Sequence, residues 1–298
     1  LTLRAAQVRI LALIVFLGGL NIARAASLQF EDRRCRVPPM LVSDDSPLPA
    51  TAAAIRSGFP LTIVALGSSS TAGVGASSKQ AAYPAVLEHE LKLWLSSGVR
   101  VINRGVGGET IDRTAARIDR DVIPPKPTLV VWQTGTNDLL RARGAEYFAK
   151  ILAAGIQRIR QHGIDVMLMD LQYFPRGERS PELNTYLQVI DRVGDRYDIP
   201  VLHRHRIMSY WLTSGELSVR QMLSRDQFHM SDEGYRCLGE IVADFILRRT
   251  NIPAAPANPT LHSASRLLPK TASGRWQMVS DTAPEPGARQ DVGAASER

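Results

Sequence analysis

Five short apolar runs, at residues 61–67, 99–103, 128–133, 164–170 and 199–203, punctuate the chain, with longer helical stretches between them. Runs of that length, apolar on successive positions, read as strands buried on both faces. Candidate helices lie at 83–96, 111–121, 145–161 and 181–197. A last one at 232–248 has Ser231 at its N-cap, Asp232 and Glu233 in its first turn, and Arg248 and Arg249 at its end, which suits the helix dipole.

Strands alternating with helices predict an α/β fold, because parallel neighbours need crossover connections and these are right-handed. The expected architecture is a three-layer α/β/α sandwich around a central parallel sheet of about five strands, forming one domain over residues 59–250. Ligands in such folds sit beyond the carboxyl ends of the strands, so the residues just after each strand carry the chemistry.

The flanks have a different character. Arg4 and Arg9 precede an apolar run at 10–20, and Ala23-Arg24-Ala25 supplies small residues around a cleavage point, so residues 1–25 read as an export signal. The run is short of the roughly 20 residues that span a bilayer, so a cleaved leader, and no stable membrane insertion afterwards, is expected over an anchor. A periplasmic or secreted location follows. Residues 26–58 contain Pro38, Pro39 and Pro47, read as breaking any regular element, and are expected to form an arm laid over the domain. Residues 251–298, rich in Pro, Ala and Ser with few large apolar side chains, are expected to form a disordered tail.

Charge removes one class of function. Of the formal +7, three charges come from Arg4, Arg9 and Arg24, leaving +4 beyond residue 25, and no Lys/Arg block is interleaved with aromatics. The electrostatic footprint of a nucleic-acid binder is missing. Two cysteines occur, Cys35 and Cys237, and after export both meet an oxidising compartment. Sequence leaves open whether they pair or stay as two buried thiols.

Four segments hold candidate chemistry. The first strand runs into Gly67-Ser68-Ser69-Ser70, hydroxyls at a strand-to-helix turn. The second runs into Gly105-Val106-Gly107-Gly108-Glu109-Thr110, where glycines let backbone N–H groups approach a ligand. That run does not meet the dinucleotide fingerprint, having threonine where the third glycine belongs, and no Walker lysine follows. After the third strand comes Gly135-Thr136-Asn137-Asp138, whose asparagine can donate to a developing oxyanion or cap an Asx turn. Ahead of the last helix stands Asp226-Gln227-Phe228-His229. An acid three residues before a histidine can accept its Nδ1–H and leave Nε2 to act as general base.

Taken together and in this order, the four segments resemble the blocks of the SGNH hydrolases, or GDSL-like esterases and lipases, over roughly residues 61–248. The resemblance implies a flavodoxin-like SGNH fold, Ser69 as nucleophile, Asp226 and His229 as its acid–base partners, and an oxyanion hole from the Ser69 and Gly108 N–H groups and Asn137. It implies a Ser-His-Asp esterase working through an acyl-enzyme, with neither cofactor nor metal, on a small-molecule or saccharide ester, the acyl group short or acetyl. Hydrolysis and acyl transfer share such a site, and a non-catalytic saccharide-binding relative is the competing reading. One departure stands out: the family's Asp before the nucleophile is Ser68 here. Ser68 is expected to hold the nucleophile loop in its place by bonding nearby backbone N–H groups.

Other residues receive plainer readings. His203-Arg204-His205 lacks a third ligand at a metal-site spacing and reads as a surface or strand-end segment. Glu88 and Glu90, flanking His89, read as a solvated helix face. Tyr173-Phe174-Pro175-Arg176, after the fourth strand, lines a substrate cleft or packs a turn.

Overall fold

The computed structural model describes residues 35–250. The proposed signal, the first part of the arm and the tail lie outside them. In chain order the elements are α1 (Pro49–Arg56), β1 (Leu61–Gly67), α2 (Ser69–Ala72), α3 (Tyr83–Trp94), β2 (Val99–Gly105), α4 (Ile111–Ala116) and α5 (Ile118–Asp121). They continue with β3 (Leu129–Gln133), α6 (Thr136–Leu140), α7 (Ala145–Arg160), β4 (Asp165–Met169) and α8 (Leu183–Tyr197). The last are β5 (Val201–Leu202), α9 (Arg204–Thr213), α10 (Val219–Met222) and α11 (Asp232–Arg249).

The five strands form one parallel sheet in the order β2-β1-β3-β4-β5. Side chains of a strand alternate between faces, and the two cores divide accordingly. Ile63 and Ala65 of β1, with Val131 and Met167, pack under α3, α9 and α11. Val64 and Leu66, with Val130, Trp132 and Leu168, pack against α4, α5, α7 and α8. A sheet covered on both faces explains why its central strands read as unbroken apolar runs. The layering is the predicted α/β/α sandwich. Among the described residues no helix is long and apolar enough to cross a membrane.

Four expectations need correction. Residues 49–56 form α1 although prolines were read as breakers: Pro49 occupies the first helical turn, where its missing N–H is no loss. The helix docks through Thr51, whose backbone N–H and hydroxyl each donate to Asp165 Oδ2 at 2.8 Å, so this described part of the arm is fastened to β4. The 111–121 helix is two, α4 and α5, interrupted at Arg117. Arg204 is not on the surface: it opens α9 fully buried. Glu88 also turns inward from a solvated face, accepting the Val101 N–H of β2 at 2.7 Å.

Cys35 and Cys237 are joined in a disulfide, which ties the arm to α11 across 202 residues of sequence. Closing so long a loop restricts the unfolded chain, so replacing both cysteines by serine is expected to cost about 2–4 kcal/mol. Urea unfolding of the oxidised protein against the double variant measures it; equal midpoints would show that the bridge carries no stability.

Candidate active site

The carboxyl ends of β1, β2 and β3 lie side by side, Gly67 opposite Gly105 and Leu66 opposite Trp132. The three loops leaving them are therefore neighbours. Gly105 makes this closeness feasible, since a Cβ there would stand 2.0 Å from Ala72 N in α2. Asn103 Nδ2 donates to Thr71 O at 2.7 Å, and Val106 N–H donates to Gly67 O at 3.0 Å, so the glycine loop is stitched to the serine turn.

Ser69 is the first residue of α2 and is nearly buried. Its neighbours Ser68 and Ser70 are engaged, whereas Ser69 Oγ has no hydrogen-bond partner among the described residues. The turn is held by Gln133, at the end of β3. Its Oε1 accepts from Ser68 N–H at 3.0 Å, Ser68 Oγ at 3.1 Å and Thr71 Oγ1 at 3.2 Å. The expectation for Ser68 is thus corrected: its side chain forms no local cap and reaches across to the next strand. A short hydroxyl suffices because Gln133 brings the acceptor to it.

Gly108 adopts φ +75°, a left-handed conformation that suits glycine. Its carbonyl accepts from Arg141 Nη2 at 3.0 Å, and Asn137 Nδ2 donates to Glu109 O at 2.9 Å. These bonds fasten the glycine loop to α6 and to the residue that caps it, bringing Gly108 and Asn137 together. Asn137 spends one amide hydrogen on this tether and retains the other. Beneath them Asp138 accepts the Ile111 N–H at 3.0 Å, and burial pushes its carboxyl up to about 6. Arg117, buried at the break between α4 and α5, donates to Gly67 O at 3.1 Å, Arg104 O at 2.6 Å and Glu109 Oε2 at 2.7 Å. One guanidinium so fixes the ends of β1 and β2 and the loop carrying Gly108.

The loop before α11 supplies the fourth segment. His229 Nδ1 lies 2.6 Å from Asp226 Oδ2. Asp226 Oδ1 accepts from Ser224 Oγ at 2.7 Å, Phe228 N–H at 3.0 Å and His229 N–H at 2.9 Å. Burial works to raise the Asp226 carboxyl, but His229, Ser224 and the two backbone donors outweigh it and hold the acid well below the usual carboxylate range. Gln227 sits at φ +54°, a left-handed conformation unusual for its side chain, at the tight turn between acid and histidine.

Two contacts bring this loop to the serine turn. Gly75, shortly after α2, packs so close to His229 that a Cβ there would stand 2.9 Å from the histidine Cβ. Gln172, buried just beyond β4, accepts from Ser70 Oγ and donates through Nε2 to Phe228 O at 2.7 Å. The residues adjacent to Ser69 and His229 are thereby joined through one side chain. The structure thus gathers all five predicted site residues at one end of the sheet; it pairs Asp226 with His229 directly, while Gln172 joins their sequence neighbours Ser70 and Phe228 and makes no bond to Ser69 itself.

Sequence reasoning missed Gln133, Gln172, Arg117 and Arg204. Burial lowers the Arg204 guanidinium to about 10, against the opposing charge of Asp170 and the nearby Tyr83 and Tyr235 hydroxyls. Burial likewise pushes the Tyr83 hydroxyl up to about 12. A polar residue ending an apolar strand, as Gln133 does, was the available signal. Beside the Asp226 loop opens a cavity of about 590 Å³, and it is lined by three of the four residues read as cleft or turn, Phe174, Pro175 and Arg176.

Comparison with known proteins gives a consistent picture. The model of the non-GDSL lipase-like family matches residues 34–252. Esterase TesA of Pseudomonas aeruginosa is 28% identical over 171 residues, covering 56% of this chain and 79% of that protein. An acetyl xylan esterase structure superposes with a TM-score of 0.53 at 25% identity, over 61% of this chain and 98% of that one. A two-domain esterase active on acetylated mannans gives a TM-score of 0.59 at 20% identity, over 70% of this chain. The chain spans about half the length of that esterase, 54%, and the likeness is one of fold.

Proposed function

The chain belongs to the non-GDSL lipase-like family, within the SGNH hydrolases that cleave carboxylic esters, and on that footing we propose that it is an exported serine esterase removing a short acyl group, such as acetyl, from a saccharide of the cell envelope or surroundings. The observation that carries the reading is the Asp226–His229 pair, 2.6 Å from Oδ2 to Nδ1, on the loop that Gln172 ties to the serine turn. With Nδ1–H given to Asp226, Nε2 keeps its lone pair for a proton of the nucleophile.

The chemistry follows from the weakness of a serine hydroxyl as a nucleophile. His229 takes the Ser69 proton as Oγ attacks the ester carbonyl, and Asp226 stabilises the imidazolium that results. Negative charge on the carbonyl oxygen is met by the Ser69 and Gly108 N–H groups and the free amide hydrogen of Asn137. Collapse returns the proton from His229 to the leaving alcohol; His229 then takes a proton from water as the water attacks the acyl carbon, and the second collapse frees the carboxylic acid and gives the proton back to Ser69 Oγ. Turnover of p-nitrophenyl acetate, and acetate release from acetylated polysaccharides, test the proposal; an inert protein would refute it.

Two smaller predictions belong to this site. Asn137→Ala is expected to lower kcat by about 10²–10³-fold with little change in KM, since the donor acts on charge present only in the transition state. A raised KM with kcat intact would instead make Asn137 a substrate-binding group. Gln172→Ala is expected to lower kcat by about 10–100-fold, because the loops carrying Ser69 and His229 lose their shared tether and a misplacement of about 1 Å is costly. Partial recovery in Gln172→Asn, with its shorter reach, and an unchanged Tm would mark positioning; a kcat equal to wild type would show that the tether is idle.

A further inference from the structure

The cavity beside the Asp226 loop has an unusual charge. Arg176 and Arg179 approach it from the segment after β4, and Arg225 from the loop that holds Asp226 and His229. All three side chains are exposed, and among the described residues none has a carboxylate partner. The acids nearest in sequence are already committed: Glu178 to His205 at 2.7 Å, and Asp226 to His229 at 2.6 Å. Asp226 lines the same cavity, but its carboxylate is taken up by His229, Ser224 and two backbone N–H groups, so three arginines stand against one engaged acid, and a bound anion relieves the repulsion among them.

The rest of the cavity leads to the reacting groups. Phe174 and Phe228 meet edge to face with centroids 4.9 Å apart, and the Phe228 ring in turn lies 4.6 Å from the His229 ring. A molecule resting on Phe228 therefore has the imidazole at one end and the arginines at the other. In the proposed mechanism the imidazole hands its proton to the leaving alcohol, so the flank of the His229 loop is the side on which the alcohol part of the ester lies. Guanidinium groups present paired N–H donors that match carboxylate and phosphate oxygens.

We propose that the alcohol part of the substrate is anionic: an acylated saccharide or similar polyol bearing a carboxylate or phosphate, bound by Arg176, Arg179 and Arg225. This rests on the esterase reading and adds the substrate class to it. Because the anion is held in ground and transition state alike, the selectivity lies in KM more than in kcat.

The test compares a mono-O-acetylated methyl glucuronoside with the matching methyl glucoside, followed by acetate release, with a mono-O-acetylated hexose phosphate to separate phosphate from carboxylate recognition. At low salt the better anionic ester is expected to exceed the neutral one in kcat/KM by about tenfold or more, as three partly exposed ion pairs acting together supply. The preference should shrink at high salt. In the triple variant Arg176→Gln, Arg179→Gln, Arg225→Gln the ratio should fall to about one, and Arg225→Glu alone should reduce it further than Arg225→Gln. Equal kcat/KM for all three esters in the wild-type enzyme, or a ratio untouched in the triple variant, would overturn the proposal. Calorimetry with an oligoglucuronate keeps it separate from the esterase reading. Arginine-dependent binding without turnover of any ester would refute the esterase alone; turnover of p-nitrophenyl acetate without charge selectivity would refute the anionic substrate alone.

Discussion

Replacing Ser69 or His229 by alanine is expected to lower ester turnover by on the order of 10⁶-fold in either case, and the double variant should be scarcely worse than the singles. The serine hydroxyl is inert without its base and the base has nothing to activate without the hydroxyl, so the two losses overlap. Folding should survive both changes. Ser69 Oγ makes no hydrogen bond that alanine would remove, and the backbone of α2 is held by Gln133, Asn103 and Gly105 through their contacts with its neighbours. Steady-state kinetics on p-nitrophenyl acetate, with Tm as control, decide the matter; losses that multiply in the double variant would show that Ser69 and His229 do not work as one unit.

The second large effect is expected at Asp226. Asp226→Asn should reduce kcat by about 10⁴-fold while leaving the loop in place. The Asn carbonyl can occupy the Oδ1 position and go on accepting from Ser224, Phe228 and His229, whereas its amide then turns an N–H toward Nδ1. The imidazole is forced into the tautomer with the proton on Nε2, where it cannot serve as base. Asp226→Ala, which removes the Oδ1 acceptor too, should lose stability as well as rate. The pH dependence follows from the depressed carboxyl: a group whose folded pKa lies below its unfolded value stabilises above the unfolded value, near 3.9, and the gain is lost as pH falls through the folded one. The Asp226→Asn variant should therefore show a flatter decline of Tm in acid than wild type. An identical decline would mean that Asp226 and His229 do not interact in solution as they do here.

Much of this arrangement was legible in the chain, for a physical reason. The central strands are buried on both faces, so β1 appears as an unbroken apolar run with the same limits in sequence and structure, 61–67. Strand β5 reduces to Val201 and Leu202 at the sheet edge, where fewer partners extend the ladder than the apolar run implied. The five site residues stood out because each follows a strand or precedes the closing helix. What holds them did not. Gln133 showed only as a polar end to an apolar strand and Gln172 not at all, until the fold places one against Ser68 and Thr71 and the other between Ser70 and Phe228. Arg204 lies between two histidines and reads as a surface or strand-end residue; it does follow β5, but only the packing of α9 shows it buried. The cysteine pair was undecidable for a similar reason, since nothing local relates residue 35 to residue 237.

The assignment of Ser69 as a nucleophile activated by His229 is tested most directly by covalent labelling. A fluorophosphonate reacts with a serine whose hydroxyl is activated by an adjacent base, and peptide mapping by mass spectrometry locates the adduct. A single adduct is expected on the peptide containing Ser69, absent in Ser69→Ala and strongly slowed in His229→Ala, with Ser68 and Ser70 unmodified. Labelling of another serine, or a Ser69 adduct that forms as fast in His229→Ala as in wild type, would contradict it.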